Sequence, residues 1–140
     1  MSDASIPGER RQERSEETKE AIRLQLKHVK DQYGFEFLAV GDSYGYYITG
    51  SSDPELEEML ATFAPKIFEA DTDERHELEE ALREEIQPES EDAYFEVRKF
   101  TVQGMEMFIC VVSPRRDGVG DALDHAISGI KRISGDTNRD

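Results

Sequence analysis

Few residues of this 140-residue chain are equipped for chemistry. The histidines are His28, His76 and His125, and none has a second histidine or a cysteine at metal-ligand spacing. His76-Glu77 begins like a zinc-protease helix, but position 80, where the second ligand would fall, is Glu80. Asp71-Thr72-Asp73 begins like a calcium loop, but His76 stands where the sharp turn needs glycine. Ser43 and Ser113 lie outside any nucleophile-elbow sequence. The pairs Glu79-Glu80 and Glu84-Glu85 sit in a helical pattern crowded with acids and read as a solvated face. No catalytic residue, metal or cofactor is therefore expected. The single cysteine, Cys110, excludes an intrachain disulfide, and inside an apolar run it reads as a small hydrophobe.

Two features suggest binding. Arg115, Arg116, Gly118 and Gly120 form a basic, glycine-bearing spot before a helix, where free N–H groups suit an anion. The phosphate-loop spacing and its lysine are missing, so a plain strand-to-helix connection is the simpler reading. Tyr44, Tyr46 and Tyr47 cluster at a turn. Exposed tyrosines favour protein interfaces, whereas edge-of-core packing with a wet hydroxyl is the other reading, and both stay open here.

The elements that position these residues follow from periodicity. Residues 1–14 are polar with Pro7-Gly8 and read as a disordered arm; 136–140 read as a frayed tail. Between them, 15–135 read as one domain. Ser15 is a candidate N-cap for a helix with Ile22, Leu26, Val29 and Tyr33 on one face, closed by Gly34. Phe35 to Val40 reads as a strand, with Phe35 and Phe37 on one face and Leu38 and Val40 on the other. A turn over 41–45 returns the chain through Tyr46 to Thr49, with Tyr46 and Tyr47 on opposite faces.

Asp53-Pro54 opens a helix with Leu56, Met59, Leu60, Phe63 and Ile67 in a stripe, and Pro65 is expected to kink or end it near Ala64. Asp71 to Ile86 has Leu78, Leu82 and Ile86 on a narrow stripe: a solvated extra helix, or a segment that orders only in a complex. Tyr94–Val102 and Met105–Val112 form a second hairpin around Gln103-Gly104, and Phe108 to Val112 is its most buried part. A last helix carries Leu123, Ala126, Ile127, Ile130 and Ile133. The order is α-β-β-α-(α)-β-β-α, an α+β chain with a sheet built from two hairpins. A short fifth strand has room between Ile86 and Tyr94.

Composition narrows the partners. Apolar residues make up 36% of the chain and charged ones 35%, with a net charge of −15. Eleven acids and two arginines between Asp71 and Asp92 carry much of it. Such a charge repels nucleic-acid phosphates and anionic membranes, and it favours solubility and basic partners. Met1 to Arg14 lacks the apolar core of a signal peptide, and no segment reaches membrane-spanning length, so a cytoplasmic protein is expected.

The run FEFLAVGDSYGYYITGSSDPELEEMLATFAPKIF, from Phe35 to Phe68, resembles the first half of bacterial roadblock-type domains of the MglB-like family. There a strand ending in Asp, a glycine-bearing turn and a strand ending in small residues lead into an acidic-start helix. VRKFTVQGMEMFICVV and GDALDHAISGIKRI look like the second half. The resemblance covers about Ser15 to Ser134. It implies a three-layer α/β/α sandwich of roadblock/profilin type, with a five-stranded antiparallel sheet, a long helix on one face and two on the other. It also implies homodimers joined through edge strands and the helix after the first hairpin, no enzyme activity, and in some members stimulation of a small Ras-like GTPase. On this resemblance Tyr46, Tyr47, Glu55, Glu58, Met59, Thr62, Phe63 and Lys66 form the candidate interaction surface. The acidic insertion 71–92 stands in place of the middle strand, and Pro65 shortens the key helix.

Two other classes remain. Acidic type III secretion chaperones are small α/β dimers, but they carry three strands before the second helix, where two are visible here. A profilin-like or GAF-like ligand sensor needs a cavity with convergent polar groups, and the strand positions here are mostly apolar.

Overall fold

The computed structural model describes residues 7–135, with side chains from residue 16 onward. Eight elements follow one another: α1 (Pro7–Tyr33), β1 (Phe37–Asp42), β2 (Tyr47–Gly50), α2 (Pro54–Glu69), α3 (Thr72–Ile86), β3 (Tyr94–Val102), β4 (Met105–Ser113) and α4 (Val119–Ile133). The order is the one the sequence predicts. The strands form one antiparallel sheet in the order β2-β1-β4-β3, so the two hairpins meet at β1 and β4.

Strand alternation sends side chains to two separate cores. Leu38, Val40, Ile109, Val111, Phe100 and Val102 face α1 and α4, where Leu26, Val29, Leu123, Ala126 and Ile130 are buried against them. Ala39, Phe108, Cys110, Val112 and Phe95 face α2 and α3, packing on Leu60, Ala64, Ile67, Leu82 and Ile86. The result is a three-layer α/β/α sandwich with two helices on each face. Phe108 to Ser113 is buried throughout, which makes β4 the centre of the sheet.

Several expectations shift. α1 begins at Pro7, eight residues before the expected cap at Ser15, and thus takes in most of the segment read as a disordered arm. Residues 1–6 and the tail 136–140 lie outside the described residues. Gly34, at φ +74°, ends α1 and turns the chain sharply, so Phe35 falls before the strand. Phe35 stacks on Tyr33 at 5.9 Å in the α1/α4 core, whereas Phe37 packs on the α2/α3 side, so the two do not share a face. Tyr46 likewise precedes β2 rather than lying in it.

Pro65 does not end its helix: α2 runs on to Glu69. Proline there removes a single backbone donor in the last turns, and the burial of Ala64 and Ile67 holds the segment helical. The acidic tract is not a solvated appendage either, since Leu82 and Ile86 of α3 are buried in the α2/α3 core. Asp71 caps α3 by accepting from the Glu74 N–H at 2.9 Å, and Gln87, in a left-handed conformation at φ 46°, closes it. Among the described residues the sheet has four strands, not five, and 87–93 is a loop.

Candidate interaction surface

The β1–β2 turn is rigidly built. Asp42 Oδ1 accepts from the N–H groups of Tyr44 (2.9 Å) and Tyr46 (3.0 Å), so one short side chain organises the whole turn. Gly45, at φ +89°, lies flat against α2: a Cβ there would stand 3.3 Å from the Thr62 carbonyl oxygen. Gly41 is as close, since a Cβ would fall 2.9 Å from that of Ala61. These two glycines let the turn dock on the helix backbone. Tyr44 and Tyr46 then project from a fixed platform, 85% and 71% exposed.

Beneath the platform lies a feature the sequence reading missed. Glu57 is fully buried, and its carboxylate accepts hydrogen bonds from Ser51 N (3.0 Å), Ser51 Oγ (2.8 Å), Ser52 N (3.1 Å), Ser52 Oγ (3.4 Å) and Tyr47 OH (3.3 Å). Ser51 Oγ in turn accepts from Leu38 N at 3.1 Å, so one chain of bonds ties β1, the loop and α2 together. A buried carboxylate is tolerable only when its acceptor capacity is filled, and here it is. Burial, and then the neighbouring Glu57 carboxylate, push the Tyr47 phenol above the ordinary tyrosine range. The signal was present as Gly50-Ser51-Ser52-Asp53 just ahead of α2, with the two serines six and five residues before Glu57, a reach-back related to a capping box.

Of the expected surface residues, Glu55, Glu58, Thr62 and Lys66 are exposed on α2, and Tyr46 is exposed on the turn. Thr62 Oγ1 lies 3.5 Å from the Gly45 carbonyl, which brings the turn and the outer face of α2 together. Met59 and Phe63 are half-buried and pack toward the α2/α3 core. Tyr47 is half-buried as well, its hydroxyl committed to Glu57. These three support the surface from below rather than forming it.

The basic spot is arranged differently. Gly118, at φ +82°, is the N-cap of α4 and leaves the helix without a side-chain cap. Arg115 and Arg116 are exposed, but Arg116 lies over the Tyr94 ring at 5.6 Å, and the Gly120 carbonyl is taken by Arg98. Among the described residues no side chain caps the α4 N-terminus, and the Val119 N–H donates to the Arg116 carbonyl at 3.3 Å. His28, His76 and His125 are exposed, and no group of three or more His, Cys, Asp or Glu among the described residues is placed to hold a metal ion. No helix among the described residues is long and apolar enough to cross a membrane.

An open groove of about 760 Å³ lies where α1 and α4 part at the turn end of the sheet. Ile22, Ile48, Val102, Met105 and Met107 give it an apolar wall, with Thr18, Lys19, Gln103 and Ser134 at its rim. Compared with known proteins, the chain matches no family model, no curated protein and no solved structure.

Proposed function

We propose that this chain is a non-enzymatic, homodimeric adaptor of roadblock type that presents the β1–β2 turn and the outer face of α2 to a protein partner, a small Ras-like GTPase. The observation that carries this reading is the pair Tyr44 and Tyr46, highly exposed on a turn that Asp42 and Gly45 hold against α2. Large aromatic side chains held rigidly in solvent are enriched where proteins meet, because they bury much area at little entropic cost. Glu55, Glu58 and Lys66, exposed on α2, add polar groups to that face. The GTPase as partner rests on the resemblance of Phe35–Phe68 to bacterial roadblock-type domains.

Light scattering during size-exclusion chromatography tests the dimer, and titration with Ras-like GTPases in both nucleotide states tests the partner. Replacing Tyr44 and Tyr46 together by serine is expected to abolish GTPase binding while the fold persists. A monomer that binds no GTPase ends the proposal. A second reading, a small-ligand sensor, has the apolar groove by Ile48 and Met107 in its favour; a monomer whose melting temperature rises with an apolar small molecule supports that instead.

A further inference from the structure

The groove between α1, the end of α4 and the sheet has the size of a small-molecule site. Its volume of about 760 Å³ falls within the range of about 300–1,000 Å³ that such sites occupy. Ile22 and Val102 are buried in its wall, Ile48 and Met107 are half-buried, and Met105 stands at its mouth, 59% exposed. The two thioethers are unbranched and adapt to an irregular guest. Residues 136–140 follow closely after the rim residue Ser134, but none of them has a large apolar side chain to fill the groove.

The wall makes no polar demands. Met107 lies between strand partners on both sides, Asp42 and Phe100. At the rim, Gln103 Nε2 donates to the Ser134 carbonyl at 2.6 Å and ties the β3–β4 turn to the end of α4. Among the described residues the one buried side-chain polar atom without a partner, Gln25 Nε2, is not part of the groove. A peptide laid along this wall would give up backbone hydrogen bonds to water without replacement, whereas a hydrocarbon tail gives up none.

The rim supplies one charge. Elsewhere on α1 the cations are paired, Arg23 with Glu20 at 2.6 Å and Lys27 with Asp31 at 3.0 Å. Lys19 is exposed and forms no ion pair among the described residues, and it is the only charged residue among the described ones that line the groove. Thr18 adds a hydroxyl beside it. An apolar trough ending at a cation complements an apolar tail ending in an anion.

We propose that this groove binds a single-chain aliphatic carboxylate, with its tail between Ile22, Ile48, Val102 and Met107 and its head at Lys19. The proposal rests on the small-ligand reading of the groove and names the ligand class.

Sodium decanoate, decanol and decyltrimethylammonium carry one tail and three head groups, and methyl NMR of the Met and Ile residues reads the site. Decanoate is expected to shift Met105, Met107, Ile22 and Ile48 and to bind about threefold to fivefold more tightly than decanol. Lengthening the tail is expected to tighten binding by up to about fourfold per CH₂ until the groove is full. Lys19→Glu, at an exposed position that the fold does not need, is expected to remove the advantage of decanoate over decanol. Decanol or the ammonium probe binding these methyls as tightly as decanoate overturns the carboxylate and leaves the small-ligand reading standing. Decanoate binding unchanged in Lys19→Glu does the same. No shift of these methyls with any probe overturns both. Shifts of the same methyls on dilution of the protein alone, with no response to a probe, mean that a second copy covers the groove, and overturn both as well.

Discussion

Gly50 has no room for a side chain because Glu57 occupies the space: a Cβ on Gly50 would lie 2.6 Å from Glu57 Cδ and 3.0 Å from Tyr47 OH. The glycine at the end of β2 and the carboxylate at the start of α2 are parts of one device. It fixes the angle at which the helix leaves the sheet, and with it the turn that carries Tyr44 and Tyr46.

Glu57→Ala should therefore cost about 3 kcal/mol of stability, because it takes the acceptor from the buried Ser51 hydroxyl and leaves a cavity where a fully buried side chain stood. Glu57→Gln keeps one acceptor oxygen and should cost less. Gly50→Ala should cost about 2 kcal/mol or more by overpacking the same spot. Urea unfolding followed by circular dichroism measures all three. A loss below about 0.5 kcal/mol for Glu57→Ala, the size of an ordinary surface change, would show that the cage contributes nothing.

Leu82 is fully buried although it sits on the most acidic helix of the chain. Leu82→Ala should destabilise the fold by about 3 kcal/mol, the cost of a lost buried side chain plus its cavity. Were α3 an accessory that orders only on a partner, the same substitution would leave the unfolding midpoint unchanged.

Pro65 leaves the Ala61 carbonyl without its usual donor one turn along α2. Pro65→Ala supplies that donor and should raise stability by about 1 kcal/mol, less than the roughly 3 kcal/mol that separates the two residues in a mid-helix site. Differential scanning calorimetry should show a rise of several degrees. A fall would mean that the proline itself is needed where α2 meets the Gly45 turn.

Cys110 is fully buried, and burial pushes its thiol from 9.0 up to about 12. Its folded value is raised, so its contribution is complete below pH 9.0. That contribution is lost as the pH rises from there toward about 12, because the unfolded chain ionises first. The unfolding free energy should fall over that window with a slope approaching about 1.4 kcal/mol per pH unit from this group. Tyr47 adds to the fall in the same direction at the alkaline end. Cys110→Ala should be less stable at neutral pH yet show a shallower alkaline slope. An unchanged slope would mean that the thiol ionises as freely folded as unfolded.

What was legible in the sequence was whatever repeats locally. The 3.6-residue spacing of Ile22, Leu26 and Val29 marked α1, and Asp53-Pro54 marked the start of α2. The unbroken apolar run Phe108–Val112 marked the central strand before any partner strand was known. Two of the local misjudgements had local causes. Gly34 severs Phe35 from its strand, and Pro65 is outweighed by the burial of Ala64 and Ile67 on either side.

The sequence by itself determined the order of the elements and which stripe of each is apolar, because both depend on spacing within one segment. Only the tertiary structure decided that Tyr44 and Tyr46 stand in solvent while Tyr47 turns to Glu57. It alone decided that Glu57 is buried while Glu55 and Glu58 are not, and that β2 and β3 are the edges. These outcomes depend on which strand pairs with which, and on which helix lands over which turn. Such contacts join residues far apart in the chain, and no periodicity within a segment records them.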